Sequence, residues 1–216
     1  HKANYYHIDD QGIFALAKAR NIAYEKANTD YIFYTDVDFI GEKDLFAQIL
    51  KLGNAIGLTA ESRAYFQLPI YHLSQKSTST LSSLTTNDEK SAFLTKIAYL
   101  GSQTKFDDYF DFVAPYSNAF LISKTCFSYT GGYCDEFRGH GSEDFEFFIR
   151  LQILNRQIPI SKSLDKDFFG PRKDTFFWNK PYCGFRKFIE AGTIQSELAG
   201  LKIFHMYHES PRDKGY

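Results

Sequence analysis

The chain has 216 residues, 44% of them hydrophobic and 24% charged, enough to bury the core of one ordinary domain. Its 25 Lys and Arg stand against 26 Asp and Glu, a formal charge of -1, which removes the electrostatic case for a nucleic-acid partner. Cys126, Cys134 and Cys183 are odd in number and not closely paired, and no run of about 18 apolar residues and no apolar leader appears, so the reading is a reducing, cytoplasmic setting without disulfides, zinc fingers or a membrane span. The unusual figure is the aromatic content, 22 Phe and 15 Tyr with one Trp, which suits an aromatic core with some rings lining a ligand cleft.

In chain order, YYHID near the N-terminus reads as a short strand, and apolar residues at Ile13, Leu16, Ala17, Tyr24 and Ala27 then keep helical spacing up to Asn28-Thr29-Asp30. Tyr31–Thr35 is an aromatic and β-branched run that reads as a buried strand ending at Asp36-Val37-Asp38. Those carboxylates therefore sit at a strand's C-terminal edge, where open α/β sheets bind ligands. A second helix is expected from about Lys43 to Leu52 and a strand over 56–59. Nine of the fourteen residues from Ser74 to Asn87 are Ser or Thr, so 74–90 is expected to be a flexible loop. Helix is expected over 90–99, strand over 116–122, and an irregular appended cap from about Leu164 onward.

Three groups of residues carry the chemistry. Asp36 and Asp38, two apart, can face one cation, and such hard oxygen ligands suit Mg²⁺ or Mn²⁺ bridging to a diphosphate. The second group is the run Gly131–Leu151, GGYCDEFRGHGSEDFEFFIRL, whose glycines allow close backbone approach and whose residues after Ser142 keep helical spacing. Glu143 and Asp144 fall in that helix's first turn. There two readings stand side by side: acids complementing the helix dipole, or a carboxylate at a cleft that accepts a proton from an incoming hydroxyl. The third group, His205 and His208, could reach one metal if they lay on a helical turn but would diverge on a strand, and the nearby Arg212 and Lys214 could neutralise a phosphate. Lys18 and Arg20 sit mid-helix, either solvating its polar face or reaching a nucleotide.

Together these blocks resemble the GT-A glycosyltransferases. KARNIAYEKANTDYIFYTDVDFI is similar to the helix, strand and DxD of family 2, and GGYCDEFRGHGSEDFEFFIRL resembles the "GGFDExFxGWGGEDxEFxxRL" block of chondroitin-polymerase-type enzymes and β-1,4-galactosyltransferases. HMYHESPRDK resembles the "MxxH" region of the latter, and order and spacing agree over 13–40, 117–151 and 204–214. The resemblance implies an α/β GT-A (Rossmann-like) mixed sheet flanked by helices, here as a single domain over 1–216 with its N-terminal βα units missing. It implies Asp38, His208, Asp36 and His205 as metal ligands and Lys18, Arg20, Asp36, Asp38 and Arg212 as donor-binding residues. Asp144 would be the catalytic base, and Glu143 would bind acceptor or donor sugar. The activity implied is metal-dependent (Mn²⁺ or Mg²⁺), inverting transfer from a UDP-type nucleotide sugar to a hydroxyl of a glycan or glycolipid acceptor in surface polysaccharide synthesis. The retaining polypeptide GalNAc-transferases carry Asn at the position of Asp144, and an Asn cannot take a proton.

The implied setting is cytoplasmic, with peripheral association at the inner membrane through other segments or proteins. His140 and Ser142 stand where the block has Trp and Gly, which leaves acceptor stacking on an indole without its residue; Phe176, Phe177, Trp178 and Tyr182 are the candidate sugar-stacking rings. The competing classes are a carbohydrate-binding GT-A remnant without catalysis and a phosphatase of haloacid-dehalogenase type, in which the GSED block has no role.

Overall fold

The computed structural model describes residues 4–9, 12–103, 105–114, 118–139, 142–158 and 185–209. Its elements in order are α1 (Leu16–Lys26), β1 (Tyr31–Tyr34), β2 (Phe39–Ile40), α2 (Leu45–Ala55), β3 (Tyr65–Gln67), β4 (Ile70–Leu73), α3 (Gln75–Ser83), α4 (Asn87–Gln103), α5 (Phe106–Tyr109), β5 (Phe110–Ala114), β6 (Phe120–Ser123), α6 (Lys124–Thr130), α7 (Glu143–Leu154), a 3-10 helix (Phe185–Gly192), α8 (Ile194–Leu198) and β7 (Ile203–His205). This is a mixed α/β fold with two small sheets flanked by helices, as the GT-A expectation requires. None of the helices among the described residues is long and apolar enough to cross a membrane.

The first sheet has order β1-β6-β3 and is antiparallel throughout, with Tyr34 opposite Phe120 and Phe66 opposite Leu121. Side chains alternate across it, as the period of two demands. Ile32, Tyr34, Tyr65, Phe120 and Ile122 enter a core with Phe127 of α6 and Phe147 and Phe148 of α7, while Phe66 and Leu121 enter one with Leu45 and Ile49 of α2. Because both faces are covered, all four residues of β6 are buried, which explains why Phe120, Leu121 and Ile122 are apolar in succession. The second sheet has order β2-β7-β4-β5, with β4 and β7 parallel and the other pairs antiparallel. Beneath it Leu73, Leu81, Leu94, Ile97, Phe110 and Phe204 form a third core with α3 and α4.

The aromatic excess is mostly core. Phe147 is fully buried, stacked on Tyr133 at 4.3 Å between centroids and packed against Phe120, Phe127 and Phe148. Phe147→Ala is expected to cost about 3–5 kcal/mol through lost burial and the cavity left behind, read as a lower urea midpoint at unchanged slope.

Several local expectations need correcting. Residues 74–90 are not a loop: Ser74 caps α3 by accepting the Ser77 N–H, and Leu81 is buried in the third core. Glu89, bonded to the N–H and hydroxyl groups of Thr85 and Thr86, supports the start of α4. Ser and Thr at caps and Leu81 as an anchor outweigh the average composition. Residues 56–59 form a turn around Gly57 (φ +72°), and 4–9 form no strand with any of the described residues. The first helix ends on an extended Ala27, and Asn28 is not left-handed. The C-terminal stretch is no appended cap where it is described, since β7 lies between β2 and β4.

Candidate active site

β1 ends at Tyr34, and the chain turns through Asp36-Val37-Asp38 into β2, with the Phe39 N–H reaching Asp36 O at 3.4 Å. Val37 is fully exposed, while the acids on either side of it turn toward different clusters.

The first cluster is built on α1. Ala17 and Arg20 form its buried face, and Arg20, 5% exposed, reaches three carboxylates. Its Nη1 donates to Glu143 Oε1 at 3.1 Å and to Asp144 Oδ1 at 2.5 Å, and Nη2 lies 3.7 Å from Asp36 Oδ1. The guanidinium also lies over the Tyr133 ring, 5.1 Å from its centroid. Asn21, the next residue, fixes the glycine turn. Its amide nitrogen donates to Tyr133 O and to Asp135 Oδ1, and its Oδ1 accepts the Tyr133 N–H. Gly132 has φ +71°, and a Cβ there would stand 2.7 Å from that Asn21 oxygen. Arg and Asn of the KARN segment thus serve the GSED acids and the GGY turn respectively.

Glu143 and Asp144 open α7, where the helix dipole favours negative charge. Ser142 just before them is left-handed, φ +74°, a conformation that costs an L-residue about 1–2 kcal/mol, which accounts for glycine in the block that this segment resembles. Burial and the neighbouring Glu143 push the Asp144 carboxyl up to about 7 against the opposing pull of Arg20 and of an Asn118 hydrogen bond. Asp144 is half-buried, so it meets the cluster and keeps some contact with solvent.

The second cluster lies on the second sheet. His205 ends β7 opposite Phe39 of β2 and beside His72 of β4. His208 follows three residues later in extended chain rather than on a helical turn. The two imidazoles nevertheless converge, each with Nε2 3.1 Å from Asp38 Oδ2. They converge because the segment between them is pinned: the Met206 N–H bonds Asp38 O at 2.9 Å, and the Tyr207 N–H bonds Thr78 Oγ1 of α3 at 2.8 Å. The ligand atoms of Asp38, His205 and His208 lie within 4.8 Å of one another, so they could hold a metal ion. Asp38 Oδ1 is buried without a hydrogen-bond partner among the described residues, and burial lowers the His205 pKa, which keeps a nitrogen lone pair available. One unsatisfied carboxylate oxygen and two imidazoles suit a divalent first-row ion.

Not every expected residue joins a cluster in its expected place. Asp36, expected to share the cation, lies against Arg20 because the turn sends its two acids apart. Arg20, expected to reach a nucleotide, is buried on carboxylates. Lys18 is half-buried on α1. Arg212, Lys214, His140, Cys183, Phe176, Phe177, Trp178 and Tyr182 lie outside the described residues. His72 has no signal in the sequence. It stacks between Phe112 (3.9 Å) and His205 (4.4 Å), and burial first, then His205 and His208, bring its pKa down to about 3.

Over residues 1–216 the chain matches the family described as "Glycosyltransferase like family 2". No curated protein and no solved structure matches it. The match spans the helix with Arg20, the turn with Asp36 and Asp38 and the helix opening at Glu143, the same segments that the fold brings together. The chain belongs to glycosyltransferase-like family 2.

Proposed function

We propose that the protein is a metal-dependent, inverting glycosyltransferase of the galactosyltransferase and chondroitin-polymerase-like type. It moves a hexosyl or N-acetylhexosaminyl group from a UDP-linked sugar to a hydroxyl of a glycan or glycolipid in surface polysaccharide synthesis. The observation that carries this reading is the arrangement about one turn. Arg20 links Asp36 to Asp144, a carboxylate with a raised pKa, and two imidazoles gather around Asp38, two residues from Asp36.

In this reading Asp144, ionised, accepts the proton of the acceptor hydroxyl as its oxygen bonds C1 of the donor sugar. The C1–oxygen bond to the diphosphate breaks in the same displacement, and its electron pair leaves with the diphosphate, so the anomeric centre inverts. Asp38, His205 and His208 would hold the cation, Mn²⁺ or Mg²⁺, which when bound supplies positive charge for the departing diphosphate. Arg212 would approach the same phosphates, Lys18 would face the nucleotide, and Glu143 would hydrogen-bond a sugar hydroxyl. Asp36 would contact the ribose.

Isothermal titration of the protein with UDP in the presence and absence of Mn²⁺ tests the reading. Binding that requires the metal is expected, followed by release of UDP from one of a panel of UDP-sugars. Absence of metal-dependent UDP binding would leave the non-catalytic alternative in its place.

A further inference from the structure

We propose that Arg20 is a positioning residue for sugar transfer, a buried guanidinium that holds the Asp144 carboxylate against the donor-binding turn by gripping Asp36, Glu143 and Asp144 from α1. The inference rests on the reading of Asp144 as the base.

Three elements distant in sequence meet at this side chain: α1 supplies it, the turn after β1 supplies Asp36, and the first turn of α7 supplies Glu143 and Asp144. Its backbone is fixed as well, since Arg20 O accepts the Tyr34 hydroxyl at 3.1 Å. A purely stabilising role fits the charges poorly. Arg20 contacts three carboxylates, and even a balanced buried ion pair is often no more stable than the apolar packing that could replace it. The polar atoms around the cluster also remain incompletely satisfied: among the described residues, Arg20 Nη2, Asn118 Oδ1 and Tyr133 OH are buried without hydrogen-bond partners. Such a concentration of like charge and unmet hydrogen bonds is characteristic of a site organised for chemistry. The planar fork spans the arrangement, with Nη1 bonding both α7 acids and Nη2 standing 3.7 Å from Asp36 Oδ1, within ion-pair reach but beyond a hydrogen bond. A lysine would be a single point charge.

The test compares Arg20→Lys and Arg20→Met with the wild type in steady-state transfer, alongside Mn²⁺ affinity measured by electron paramagnetic resonance. Arg20→Met is expected to lower kcat about 100-fold, within the range of positioned proton transfer, while KM for the donor changes less than about threefold and Mn²⁺ affinity less than about twofold. Arg20→Lys is expected to recover about tenfold of that loss, because it restores charge without the fork. Should Arg20→Met fail to fold, Arg20→Lys decides alone, with kcat about tenfold below wild type expected. The proposal is overturned if Arg20→Lys transfers at the wild-type rate, or if Arg20→Met loses Mn²⁺ affinity along with rate and Lys restores neither. Asp144→Asn separates the two levels. If that variant retains full rate, the base reading itself has failed; if it is inactive while both Arg20 variants are active, only the role of Arg20 falls.

Discussion

Asp144→Asn is expected to lower kcat by about 10²–10⁴-fold, the usual contribution of a positioned general base, while leaving the fold and Mn²⁺ binding intact. The substitution nearly preserves shape and the hydrogen bond to Arg20, but an amide cannot take the acceptor proton. The pH dependence supplies an independent check. The base works only when ionised, and its carboxyl is pushed up to about 7, so kcat/KM should rise with pH through about 7 and level off above it. The variant should lose that limb. Stability has the opposite sign. Because burial and Glu143 raise the folded pKa above the ordinary 3.8, the folded state holds a proton that the unfolded chain releases between about pH 4 and 7, and stability falls as pH rises through that window. Asp144→Asn should therefore melt no lower than wild type at pH 8. Full transfer by the variant, or a rate flat across pH 6 to 8 in the wild type, would remove Asp144 from the mechanism.

Asp38→Ala is expected to abolish Mn²⁺ binding and transfer together. Loss of an outer hydrogen-bond partner of a metal ligand already costs about 10–100-fold in affinity, and loss of the carboxylate itself should exceed that. His208→Ala and His205→Ala leave two of three donors, as Asp38→Ala does, but keep the anionic carboxylate and should weaken Mn²⁺ less. With two imidazoles in the set, Mn²⁺ should support more transfer than Mg²⁺, which favours oxygen ligands. Manganese titration of the four proteins by electron paramagnetic resonance orders them, and a wild-type affinity in Asp38→Ala would place the metal elsewhere.

The legible parts of this site were those with local periodicity or fixed spacing. β1 announces itself by a short aromatic run stopped by acids, and α7 by apolar spacing after a glycine segment. The helical nature of α3 was hidden because a Ser/Thr-rich composition averages away the two positions that matter, the Ser74 cap and the Leu81 anchor. The same composition hides Thr78, whose hydroxyl holds the chain next to His208. β7 and His72 depend on pairing between segments more than 100 residues apart, where 72 meets 205, and no local pattern encodes that. Arg20 was visible as a charge on a helix, but its burial against acids from residue 36 and residues 143 and 144 is a tertiary fact.

The turn at Asp36-Val37-Asp38 has a consequence for how such a site can change. Its middle side chain touches water alone, whereas the acids on either side are committed to separate groups of partners. Residue identity at 37 is therefore nearly free, and residue number is not. Replacing Val37 alters a surface, but adding or removing one residue there would swing one acid out of its cluster while the other stayed in place. The spacing between the carboxylate held at Arg20 and the one held by the imidazoles is thus set by the length of one tripeptide, a ruler with an unmarked middle.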